Sequence, residues 1–222
     1  MEHQTTRHGI ETGATERWPS PPPFVIKAMA RVWAEELVIS GKLRLSSLEF
    51  YRNFEHAEIG DRFEGEGRYA VGNDYAHMGF SYAVFIFCTS LPDTKPEQLF
   101  ELQSGYDTLI RINNLDLFAR AVCNAALEQE RMTLQPLIGP VYYDRDSATS
   151  YEAIRSKPWG WSAFQKDPKY SHQREYRFAF EHYSTPLPDR PRTEEECLAE
   201  LLRKHVELRL DLPTGLVELM AR

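Results

Sequence analysis

An α+β fold, one domain built on a mixed or antiparallel sheet with flanking helices, is what this sequence predicts, and three observations lead there. Short alternating or continuously apolar runs recur along the chain and are interspersed with runs of helical period. Hydrophobic residues make up 42% and aromatics 12% of 222 residues, enough for one sizeable core. Residues 164–180 hold the clearest strand, fed by a polar, proline-containing loop.

Taken in order, residues 1 to about 20 are polar and run into Pro21-Pro22-Pro23, which predicts a flexible lead-in over 1–22 followed by a single domain over 23–222. Order is expected to begin with a short strand at 24–26. A helix over 28–40 follows, with Met29, Trp33 and Leu37 as its apolar stripe and Gly41 as its stop. Trp33 is expected in the core rather than as a binding platform. Residues 42–50 alternate through Leu43 and Leu45, which sets Arg44 on the opposite face. Glycines in 59–69 mark a loop rich in acids, Asp61 and Glu64 among them. The loop lacks the spacing of a calcium site, so no metal is expected there. Its acids are expected to shape the backbone or to position an arginine such as Arg52.

Residues 80–90 read as a central strand ending in Cys88-Thr89-Ser90, whose hydroxyls serve either as turn caps or as donors lining a cleft. A strand over 106–113 leads to Asn114, which can cap a helix over 115–131 with Leu115, Phe118, Val122 and Ala126 on its apolar side. Residues 137–143 read as a strand with paired tyrosines, and the Pro158-Trp159-Gly160-Trp161 cluster as core packing. Near the end, Thr193 and Glu196 form a capping box that opens a helix to His205, and 206–212 alternate as a returning strand.

The net charge of −7 argues against a general phosphate-binding surface, though not against a local basic cleft. Cys88, Cys123 and Cys197 are widely spaced and odd in number, which suits a reducing cytoplasm better than a disulfide or zinc framework. No apolar run approaches a membrane span, so a soluble cytoplasmic protein with no membrane partner is expected.

The strand within 164–180 sets Tyr176, Phe178 and Phe180 on one face and Glu175, Arg177 and Ala179 on the other. At its mouth stands Gln173-Arg174-Glu175, and period 2 places Gln173 on the Glu175 face. Two readings follow from this spacing: a solvated strand face, or one acid presented to a ligand.

Three segments carry a resemblance. Leu43-Arg44-Leu45-Ser46-Ser47-Leu48-Glu49-Phe50-Tyr51-Arg52, then Gly60-Asp61-Arg62-Phe63-Glu64-Gly65, then Gln165-Lys166 with Glu175-Tyr176-Arg177, resemble a widespread bacterial family of uncharacterised domains over most of 24–182. More distantly, the order of elements resembles the NAD-dependent ADP-ribosyltransferases and implies their fold. In those enzymes an early strand carries a cation, matched here by Arg44 or, one strand earlier, by Lys27. An aromatic-Ser-Thr-Ser strand end is matched by Phe87-Cys88-Thr89-Ser90, with Cys88 in place of the first serine. Gln173-Arg174-Glu175 matches their loop-strand motif.

The resemblance implies transfer of ADP-ribose from NAD as substrate. Glu175 would stabilise the oxocarbenium-like ribose, Gln173 would orient the acceptor, and Arg44 would pair with the pyrophosphate. Thr89 and Ser90 would support Glu175 and the ribose, and Tyr51 would stack on nicotinamide. Gln173 in place of a second glutamate implies an acceptor other than arginine, either a protein or RNA or DNA. Relatives of this kind are often toxins or phage-defence effectors, which implies an antitoxin or inhibitor protein as partner. Two rival functions stand beside this one. One is a metal-dependent nuclease or hydrolase using Asp61, Glu64, Glu175 and Lys166; the other is a non-catalytic sensor or binding domain.

Overall fold

The sheet is organised around one strand, β5 (Val84–Ser90), which is paired along both edges. The computed structural model describes residues 20–52, 61–71, 74–79, 84–145, 149–150, 161–183 and 204–220. On one edge β5 runs antiparallel to β9 (Glu175–Tyr183), with Ser90 opposite Glu175, Cys88 opposite Arg177 and Ile86 opposite Ala179. Beyond β9 lies β7 (Thr133–Pro140). On its other edge β5 meets two strands, β1 (Val25–Met29) at its end and β2 (Lys42–Ser47) at its start. Past β1 come β6 (Thr108–Ile112) and β11 (Val217–Leu219), and past β2 comes β10 (His205–Arg209). Every pairing in this eight-stranded sheet is antiparallel. A smaller sheet holds β3 (Glu66–Val71) and β4 (Asp74–Gly79), with β8 (Thr149–Ser150) parallel to β3.

The expected mixed architecture with an antiparallel core is therefore present, with helices on its faces. Helices α1 (Arg31–Ser40) and α4 (Leu115–Glu130) cover one face. There Leu37, Phe118, Val122 and Ala126 pack with Leu45, Phe87, Phe178 and Phe180. Leu48, Ile86, Ala163, Phe164 and Ala179 form a second cluster that includes the opposite face of β5 and β9. Burial on both faces explains why β5 reads as an unbroken apolar run rather than an alternation. Helix α4 starts as its cap predicts: the Asn114 side-chain oxygen accepts from the Leu117 N–H at 2.9 Å. Strand β10 alternates cleanly between exposed and buried positions, also as expected.

Several boundaries differ from expectation. The first helix begins at Arg31, because Ala28 and Met29 are claimed by the pairing of β1 with Leu109 and Thr108 of β6. Its buried stripe is then Ala34 and Leu37, and Trp33 lies beside that stripe, 50% exposed, instead of in the core. Strand β2 stops at Ser47 and gives way to a short helix, α2 (Leu48–Arg52). Strand β7 ends at Pro140, before the paired tyrosines. Strands β3, β4, β8 and β11 and helix α3 (Pro96–Glu101) were not expected from sequence. The N-terminal lead-in over 1–19, the tryptophan cluster up to Gly160 and the capping-box helix lie outside the described residues. No helix among the described residues is long and apolar enough to cross a membrane.

Candidate active site

Forking of the sheet makes the cleft. Ser90 of β5 pairs with Ile26 of β1, whereas Phe85 and Ile86 pair with Ser47 and Ser46 of β2. Between these two pairings the Cys88 carbonyl accepts a hydrogen bond from Lys27 Nζ at 2.7 Å. Two adjoining cavities open there, of about 70 and 240 Å³, and both are lined by Lys27, Tyr51, Cys88 and Tyr106. The smaller also takes in Glu64, Thr89, Ser90, Lys166, Gln173 and Glu175. The larger takes in Trp33, Lys42, Arg44, Phe87 and Glu207.

Glu175 reaches the smaller cavity because of the turn before it. Residues Pro168–Gln173 form a 3-10 helix, started by the Asp167 carboxylate accepting from the Lys169 N–H at 2.9 Å. Arg174 then adopts a left-handed conformation with φ of 45°, which reverses the chain into β9. Gln173 is thus not on the strand at all; it meets Glu175 across this turn, and not through period 2. Lys166 joins the two side chains, its Nζ donating to Gln173 Oε1 at 2.8 Å and to Glu175 Oε1 at 2.7 Å. The other carboxylate oxygen of Glu175 accepts from Arg177 Nη2 at 2.6 Å. Arg177 Nη1 donates to Glu64 Oε1 at 2.7 Å and to the Ala163 carbonyl. The Glu175 N–H donates to the Tyr143 hydroxyl at 2.8 Å.

A solvated strand face is therefore ruled out. Arg177 is fully buried, and Lys166, Gln173 and Glu64 are nearly so. Two cations and two carboxylates alternate in a chain that is neutral as a whole, the arrangement that buried charges require. Burial alone would push the Glu175 carboxyl up, but Lys166 and Arg177 outweigh it and bring it down to about 2. Burial likewise opposes the charge on Lys166, and Glu175 and Glu64 overcome that to raise its ammonium. Lys27 differs. Among the described residues it has no carboxylate partner, only the Cys88 carbonyl and the Phe87 ring, 4.7 Å from its Nζ. Burial lowers its pKa, partly offset by Cys88 and Glu175. The Cys88 thiol is pushed up to about 11, chiefly by burial and then by Glu175, so it stays neutral and poorly nucleophilic.

The two hydroxyls at the end of β5 act on the backbone. Thr89 Oγ1 donates to the Tyr176 carbonyl and Ser90 Oγ to the Gln173 carbonyl, at 3.1 Å for the latter. They brace the chain on both sides of Glu175. The acidic loop is used in the same way. Asp61 Oδ2 accepts from Arg145 at 2.6 Å, its Oδ1 accepts from the Phe63 N–H at 3.0 Å, and the Glu64 carboxylate holds Arg177. Arg52, the example of an arginine these acids could position, donates to the Glu64 backbone carbonyl at 2.6 Å. No group of three or more potential metal ligands occurs among the described residues.

Lys27, Tyr51, Thr89, Ser90, Gln173 and Glu175 thus come together in one cavity, while Arg44, exposed and 3.4 Å from His205 Nδ1, lines the larger one. Sequence reading gave Lys166 only to the nuclease alternative and Trp33 to the core, and it passed over Tyr106. Lys166 had a signal, since it stands in one of the motif segments; Tyr106 had none. No family model matches the chain, and neither a curated protein nor a solved structure matches it.

Proposed function

We propose that the chain is an ADP-ribosyltransferase-like enzyme that binds NAD in the two-lobed cleft and transfers ADP-ribose to a macromolecular acceptor other than arginine. One observation carries this reading: residues chosen for their roles in that chemistry, from β1, α2, β5, the 3-10 turn and β9, converge on one cavity. Glu175, held in its ionised form, is the group placed to oppose positive charge on a ribose as its bond to nicotinamide breaks. The electron pair of that bond leaves with nicotinamide, and the acceptor's nucleophile then attacks the ribose carbon and loses its proton. Lys166 positions Glu175 and Gln173 together. The anionic centre of the substrate is assigned to Lys27, not Arg44, because Lys27 stands where the lobes meet and lacks a carboxylate partner among the described residues. An unpaired, half-buried ammonium is stabilised by an arriving phosphate.

A second reading rests on a specific observation as well. Both oxygens of Glu175 accept from cations, which offsets the charge available to an oxocarbenium ion. On that basis the cleft binds the nucleotide without turnover, as a sensor would. Calorimetry with NAD together with measured nicotinamide release separates the two: binding with release supports the transferase, binding without release supports the sensor, and no binding removes both. The nuclease alternative is disfavoured, since Asp61 and Glu64 are engaged by arginines.

A further inference from the structure

We propose that the larger cavity is a nucleobase subsite with Trp33 as its stacking platform, filled by the base of a 5′-nucleotide whose phosphate meets Lys27. The proposal deepens the nucleotide reading above but does not require Glu175 to perform any chemistry. Trp33 is an indole on a surface helix, 50% exposed, at the wall of a cavity of about 240 Å³. The Lys42 ammonium lies over one face of the ring, 5.3 Å from its centre, and is itself paired with Glu36 at 3.2 Å, which leaves the other face for a base. Leu37, Leu43 and Phe87 give the wall apolar surface, Lys27 and Arg44 add positive charge, and Glu207 contributes the one carboxylate in the lining.

This combination selects a ligand class. An aliphatic chain or apolar peptide side chain would cover the indole but would leave Lys27 without an anion. Inorganic phosphate or a sugar phosphate would satisfy the cations and leave the indole in water. A flat, sequence-tolerant π face joined to a phosphate satisfies both, and a nucleotide has that form. Base stacking on an aromatic side chain contributes ~1–3 kcal/mol, which corresponds to roughly 5- to 150-fold in affinity.

The test is calorimetric titration of the full chain with AMP, GMP, CMP and UMP, with ribose 5-phosphate as the probe lacking a base. At least one nucleotide should bind at least tenfold more tightly than ribose 5-phosphate. Trp33→Ala should weaken that nucleotide roughly 5- to 150-fold and leave ribose 5-phosphate unchanged, and Trp33→Phe, which keeps a ring, should stay within about threefold of the parent. Circular dichroism checks that both variants are folded. Binding of no nucleotide above the ribose 5-phosphate level, or equal nucleotide affinity in Trp33→Ala and the parent, overturns the proposal. Nucleotide binding that depends on Trp33 in a chain that never releases nicotinamide from NAD would uphold it while removing the transferase reading.

Discussion

Replacing Glu175 by Gln removes one negative charge from a buried chain of four charged side chains and leaves Lys166 and Arg177 facing only Glu64. One buried cation is then uncompensated, and breaking a buried pair in this way costs about 3–5 kcal/mol. The lowered Glu175 carboxyl pKa points in the same direction. An unfolded glutamate titrates near 4.3, and a fall to about 2 in the folded chain corresponds to about 3 kcal/mol. Because the folded value is the lower one, this contribution is complete above about pH 5 and is lost as the pH falls towards 2. The single variant should therefore forfeit a large part of a typical stability of ~5–15 kcal/mol. The double variant Lys166→Met/Glu175→Gln removes a cation with the acid and leaves the Arg177–Glu64 pair intact. It should recover roughly 2–3 kcal/mol of the summed single losses. Urea denaturation reads this directly: with a slope of roughly 2–3 kcal/mol/M, the midpoint of Glu175→Gln should drop by about 1–2 M and that of the double variant by much less. A midpoint for Glu175→Gln within about 0.2 M of the parent would refute the reasoning.

Three further outcomes are expected. Activity should survive chelator, because Asp61 and Glu64 are occupied by Arg145 and Arg177; loss with chelator and recovery with magnesium would revive the nuclease. Gly41→Ala should destabilise by more than the ~1–2 kcal/mol of a left-handed backbone, since φ is 69° and the new Cβ would lie 2.0 Å from the Leu210 carbonyl oxygen. An unchanged urea midpoint would contradict that packing. Label transferred from NAD should not reside on arginine, because the Gln173 amide is a poor base for a guanidinium whose pKa exceeds ~12; mass spectrometry of modified acceptors decides this.

How much of this was legible in the sequence depended on whether local pattern or distant packing decided each feature. The Asn114 cap, the α4 stripe and the β10 alternation are local, and all three are as the sequence predicts. Ala28 and Met29 show the opposite case, since good helix formers became strand through pairing with a segment about 80 residues away. Trp33, expected in the core, is half exposed at a cavity wall, because the helix buries Ala34 and Leu37 instead. Glu175 and Arg177 were placed on the right strand face, but period 2 cannot tell whether a face meets water. Glu64, 113 residues from Arg177, supplies the buried partner. Gln173 came close to Glu175 for a reason the pattern did not contain, the left-handed turn at Arg174.

The most direct test of the account incubates the purified chain with NAD carrying a label on its adenylate half. Nicotinamide release and label transfer into a cell extract are then measured side by side for the parent and for Lys166→Met/Glu175→Gln. The double variant serves because its buried charges remain balanced while the carboxylate is gone, with circular dichroism as the check that it is folded. The parent is predicted to release nicotinamide and transfer label, and the folded double variant to do neither. Equal release by both chains, or none by the parent, would contradict the central claim that Glu175 and its cleft cleave NAD.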